Sequence, residues 1–223
     1  MTLRVHLSAV VLLFALAAHA QAQSNVFLPH KFAWGENVGF INFRDAGDPA
    51  ASKGVRISGT YLSGFAWGEN IGYINFGAIP ANGVSYANPL AGPVIGVPDF
   101  GVNRDAITGH LSGFAWGENV GWINFGGGAL AVPSNPARFD NAAKRLRGFA
   151  WGENIGWVNL DNADHYVGLC PVDYDGDGVL SVNDIFAFLN GWFAGEPAAN
   201  FDGGGVLGVS DIFAYLNAWF LGC

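Results

Sequence analysis

The chain has 223 residues, room for one good-sized domain or two small ones, and only 13% of them are charged against 51% apolar. A net charge of −8 gives nucleic acid or an anionic membrane nothing to pair with, and the ten Lys and Arg form no stripe. Thirty-three Gly and eight Trp suit short strands, tight turns and aromatic packing better than long helices.

Residues 1–22 read as a secretory signal peptide. Arg4 and His6 precede an apolar run from Leu7 to Ala18, and Ala18-His19-Ala20 or Ala20-Gln21-Ala22 offers small-x-small cleavage. The run is too short to span a bilayer, and no later segment reaches that apolar length. The expectation is a chain that is secreted or held at the cell surface, without a membrane span once the leader is gone.

Residues 24–160 carry one twelve-residue motif four times, at Phe32–Phe43, Phe65–Phe76, Phe114–Phe125 and Phe149–Leu160. Each copy reads Phe-Ala-Trp-Gly-Glu-Asn-x-Gly, then an aromatic, Ile or Val, Asn, and Phe or Leu. The two ends predict short strands and the middle predicts a hairpin turn, with Gly35, Asn37 and Gly39 as candidates for positive φ. Leu62, Leu111 and Leu146 close a weaker lead-in strand ahead of copies two, three and four, which copy one lacks. Residues 78–100, rich in Pro, Gly and Asn, read as a loop insertion. These features predict an all-β repeat domain of stacked hairpins, a sandwich or solenoid in preference to a propeller-like arrangement, because the spacing is irregular and closure is not evident.

Residues 161–169 read as a polar linker, and the composition changes at residue 170. From there the chain duplicates itself with a shift of 27 residues, which aligns Asp173 with Asn200 and Asp184 with Asp211. Asp173, Asp175, Asp177, Gly178 and Asp184 match a twelve-residue calcium loop, with the Val179 carbonyl at position seven and Ser181 at position nine. A hard cation takes six to eight oxygens at about 2.3–2.6 Å, and alternate carboxylates in a tight turn converge on one point. The second loop keeps Asn200, Asp202 and Asp211, but Gly204 and Gly208 bring no side-chain oxygen, so its site is degenerate. Helices should follow both loops, with Ile185, Phe188, Leu189 and Trp192 packing on Ile212, Tyr215, Leu216 and Trp219, and with Phe186 and Phe213 on the rim towards a partner.

Two loop-and-helix units of this length, each with Asp at position twelve, resemble a type I dockerin. Cys170 at the start and Gly222-Cys223 at the end resemble the GC-type dockerin-like tail of exported bacterial proteins. The resemblance covers residues 170–223 and implies a small all-α, EF-hand-like, calcium-dependent module that docks its chain to a cohesin-like or cell-surface protein, often in company with polysaccharide. The four central copies resemble Ala-Trp-x-Glu-Asn-x-Gly-Trp-Ile-Asn repeats of other exported bacterial proteins. In an oxidising compartment Cys170 and Cys223 are the natural disulfide pair, with free thiols or a terminal Cys used for covalent attachment as the alternatives.

Catalysis is not expected. Glu36, Glu69, Glu118 and Glu153 sit in equivalent turns, whereas acid–base work needs two carboxylates in different environments. Carbohydrate binding is the alternative function. Trp34, Trp67, Trp116 and Trp151 are expected to fill the repeat core, and the more variable Tyr73, Trp122 and Trp157 are the candidates for stacking on sugar.

Overall fold

Each copy of the motif forms one hairpin, and the four hairpins close on themselves. A computed structural model describes residues 24–46, 52–88, 99–176 and 179–222, so the expected leader lies outside the described residues. In the first copy β1 (Val26–Gly35) turns into β2 (Gly39–Asn42). A lead-in pair, β3 (Arg56–Ile57) and β4 (Tyr61–Ser63), precedes the second copy, β5 (Phe65–Gly68) and β6 (Gly72–Asn75). Strand β7 (Val102–Arg104) pairs with β8 (Leu111–Gly117), which turns into β9 (Gly121–Asn124). Then β10 (Arg138–Asp140) and β11 (Arg145–Arg147) lead into β12 (Phe149–Gly152) and β13 (Gly156–Asn159). The chain finishes with β14 (Val167–Leu169), α1 (Val182–Ala194) and α2 (Val209–Leu221). Among the described residues no helix is long and apolar enough to cross a membrane.

Eight strands, two from each copy, make a closed antiparallel barrel in the order β1–β2–β5–β6–β8–β9–β12–β13 and back to β1. The molecule is thus mostly β, with a closed barrel and two C-terminal helices, and the favoured open sandwich or solenoid is not what forms. The closing seam is β13 against β1, Trp34 opposite Asn159 and Gly35 opposite Val158, which joins the last copy to the first. Outside the ring, β14 follows the fourth copy and pairs with the start of β1, Val26 opposite Leu169 and Lys31 opposite Val167, and so supplies the extra strand neighbour that copy one lacks in its own sequence. Part of the expected linker is therefore a strand.

The barrel interior explains the motif. Ala33, Ala66, Ala115 and Ala150 point inwards, directly across from Ile41, Ile74, Ile123 and Val158, and all of them are buried. An eight-stranded ring is just wide enough for side chains to fill, so a small residue opposite a large one meets its taper. Phe43, Phe76, Phe125 and Leu160 plug one end, with edge-to-face contacts of 5.2 Å from Phe76 to both Phe43 and Phe125. The Trp rings lie on the outer wall, not in the core. Trp34 is 41% exposed and Trp151 39%, and each packs its edge against the aromatic partner across its hairpin. Alternation sends Trp outwards wherever the adjacent Ala faces in, and no indole would fit four times within so narrow a ring.

The turns divide the expected glycine roles. The second Gly of each turn takes positive φ: Gly39 +81°, Gly72 +75°, Gly121 +78° and Gly156 +73°. The first Gly is demanded by space, since a Cβ on Gly35, Gly68, Gly117 or Gly152 would stand 2.3–2.6 Å from the side chain of Val38, Ile71, Val120 or Ile155. Those apolar residues close the turn end of the barrel. The Asn binds the neighbouring copy instead of its own turn. Asn70 Nδ2 donates to Val38 O (3.1 Å), Asn119 to Ile71 O (3.1 Å), Asn154 to Val120 O (3.0 Å) and Asn37 to Ile155 O (3.2 Å), a complete ring of four bonds.

Candidate metal centre

The expected calcium loop gathers three of its carboxylates. One oxygen from each of Asp173, Asp175 and Asp184 lies within 4.8 Å of the others, with Asp173 and Asp184 buried and Asp175 exposed. Asp177 lies outside the described residues. Val179 is exposed.

Asp184 is held by the fold before any ion is considered. Its Oδ2 accepts from Ser181 N (2.7 Å) and its Oδ1 from Asp175 N (3.3 Å), while the Ser181 hydroxyl accepts from Asn183 N (3.1 Å). Ser181 and Asp184 therefore form a capping box that opens α1. The Ser181 hydroxyl, expected as a ninth-position ligand, is engaged as the helix cap.

The second loop repeats this backbone pattern without its side chains. Asp211 Oδ1 accepts from Asp202 N (3.1 Å) and Oδ2 from Gly208 N (2.8 Å), each one duplication length from its counterpart. These hydrogen bonds, Gly208's foremost, hold the Asp211 carboxyl below the usual carboxylate range against the opposing effect of burial. Asp202 Oδ1 turns back to accept from Gly204 N (2.7 Å). Asn200 Oδ1 is buried and accepts no hydrogen bond. A buried oxygen left so costs about 1–3 kcal/mol, and a cation beside it would remove that cost.

The donors fit a hard cation. All are oxygens, and three carboxylates this close, two of them buried, repel one another unless positive charge intervenes. An ion there would neutralise the cluster and tie residues 173–184 into one unit. The helices behind it pack as expected: Phe188 and Tyr215 are buried with Ile185, Leu189, Trp192, Ile212, Leu216 and Trp219 around them. Reading the stripes alone missed two bonds. Trp192 Nε1 donates to Gly208 O (3.0 Å) and Trp219 Nε1 to Ser181 O (3.2 Å), so each helix pins the other unit's loop. The 27-residue shift, which maps Trp192 onto Trp219 and Ser181 onto Gly208, was the signal for them.

Phe27 of β1 packs against this core, and Asn25 Nδ2 reaches Gly176 O (3.5 Å) in the metal loop. Cys170 is disulfide-bonded, and the chain's other cysteine, Cys223, lies outside the described residues. The three expected stacking residues are not brought together: Tyr73, Trp122 and Trp157 stand on β6, β9 and β13, spread around the barrel wall. Glu36, Glu69, Glu118 and Glu153 are exposed in the four turns. No family model, curated protein or solved structure matches the chain.

Proposed function

We propose that the C-terminal module is an EF-hand-like, dockerin-like unit that binds calcium through Asp173, Asp175, Asp177 and Asp184 and docks an exported, non-catalytic barrel to a protein partner. The observation that carries the reading is the meeting of the Asp173, Asp175 and Asp184 carboxylates within 4.8 Å beneath the capped start of α1. Calcium follows from the all-oxygen donor set, since calcium accepts variable oxygen geometry where magnesium would demand a tighter octahedron. The degenerate second loop serves as a scaffold with weak affinity at most. A docking role is supported by the outward rings of the two helices, Phe186 and Phe193 on α1 and Phe213 and Phe220 on α2, all more than half exposed and paired by the duplication. Such rings are costly in water and useful at an interface.

The test is a calcium titration of the full chain by calorimetry, with thermal melts in calcium and in chelator. One strong site and a melting temperature that falls on chelation are expected. A melt indifferent to chelator would end the reading. Docking is read separately, by passing immobilised full chain over cohesin-like modules, with retention expected in calcium and release in chelator.

A further inference from the structure

The four hairpins share a motif, yet the loops between them dress the outer wall differently. In copy three the outward Trp122 is met by Phe100 (5.2 Å), and in copy one Phe40 is met by His165 (5.0 Å). Where the fourth hairpin closes on the first, the wall instead opens into a groove of about 620 Å³. Its floor holds Trp34 of β1, Trp157 of β13 and Phe149 of β12, and its far wall is the loop carrying Leu130, which is 82% exposed.

We propose that this groove binds a neutral saccharide. Its polar groups sit where a sugar's hydroxyl edges would need them. Asn159 stands directly across the strand pair from Trp34. Its Oδ1 accepts from Asp161 N (2.8 Å), which orients the carboxamide so that it offers N–H donors to a ligand. Glu36, whose Oε2 lies 3.5 Å from Trp157 N, offers a carboxylate acceptor at the turn end. Aromatic rings beside the Asn159 and Asn135 carboxamides and the Glu36 carboxylate match a pyranose ring, with an apolar C–H face and a hydroxyl rim. No Lys or Arg lines the groove and the chain carries −8, so uronates and sulfated sugars lack a counter-charge. The space is far larger than one quaternary ammonium group, the other ligand that Trp rings beside a carboxylate would suit. The proposal concerns the barrel and stands independently of the metal centre.

The test is calorimetry and tryptophan-fluorescence titration of the full chain in calcium with cellohexaose, mannohexaose and xylohexaose, with trigalacturonate and choline as contrasts. Saturable binding of at least one neutral hexaose is expected, with neither contrast competing. Trp34→Ala should weaken it by about tenfold or more, and Trp67→Ala, the same position in copy two, by no more than about twofold. Leu130→Asp, on an exposed loop where folding is not at stake, should weaken it as Trp34→Ala does. The proposal is overturned if no neutral hexaose binds at about 5 mM, if trigalacturonate or choline binds as tightly, or if Trp67→Ala costs as much as Trp34→Ala.

Discussion

Phe188 and Tyr215 hold the same position in the two halves of the tail, and they stack face to face across the module's centre, 4.0 Å apart and within 2° of parallel. Tyr174 and Phe201, another pair related by the duplication, close around them edge-on. The two units thus share one core. The Tyr215 hydroxyl donates to Val172 O (2.9 Å), and burial first, then nearby Asp184 and Asp173, push its ionisation upwards, which keeps it a donor throughout the ordinary pH range.

Tyr215→Phe removes that one bond and leaves the buried Val172 carbonyl without its donor. A loss of about 1–3 kcal/mol is expected in urea unfolding, with the stacked ring retained and the calcium stoichiometry unchanged.

Asp184 caps α1 and, in the metal centre we propose, would also ligate the ion, and the two can be separated. Ser181→Ala removes only the cap and should cost about 1 kcal/mol, alike in calcium and in chelator. Asp184→Asn should cost markedly more in calcium than in chelator. Equal costs in the two buffers would make Asp184 a helix cap and nothing else.

At the turns, Gly68→Ala would set a Cβ 2.6 Å from Ile71 Cγ1, and overpacking of this kind costs about 1–3 kcal/mol. Because the clash is with one side chain, Gly68→Ala and Ile71→Ala together should cost less than the sum of the two alone. Gly72→Ala fails for a different reason, its φ of +75°, so its cost should not be relieved by Ile71→Ala. Double-mutant cycles in urea distinguish the two.

Acid should loosen the β10–β11 hairpin beside the barrel. Asp140 accepts from Ala143 N and Ala142 N (both 3.0 Å) and from Arg147 Nε (2.7 Å), and these bonds, Ala143's foremost, hold its carboxyl below the usual range despite partial burial. A carboxyl depressed in the folded state contributes stability that is present above its unfolded value of about 3.9 and is lost as pH falls through the lower folded value. Asp140→Asn should therefore destabilise at pH 7 and flatten the fall in melting temperature below about pH 4. A variant whose acid profile matches the parent's would show that Asp140 does not carry the effect.

Local chemistry made much of the protein legible in its sequence. Alternation and turn residues identified four hairpins, and the spacing of Asp173, Asp175 and Asp184 marked a cluster that does converge, because these depend on neighbours within about a dozen positions, while the paired helices were legible because the chain writes the same unit twice, 27 residues apart. Closure was not legible. It rests on β13 returning to β1 across most of the chain, and on four Asn side chains that each serve a different copy, and a repeat pattern states what each unit is without stating which unit is next to which. The side of the wall taken by Trp34 was likewise settled only when the ring closed, since a strand with apolar residues on both faces leaves open which face is inside until the curvature admits Ala33 and turns the indole out.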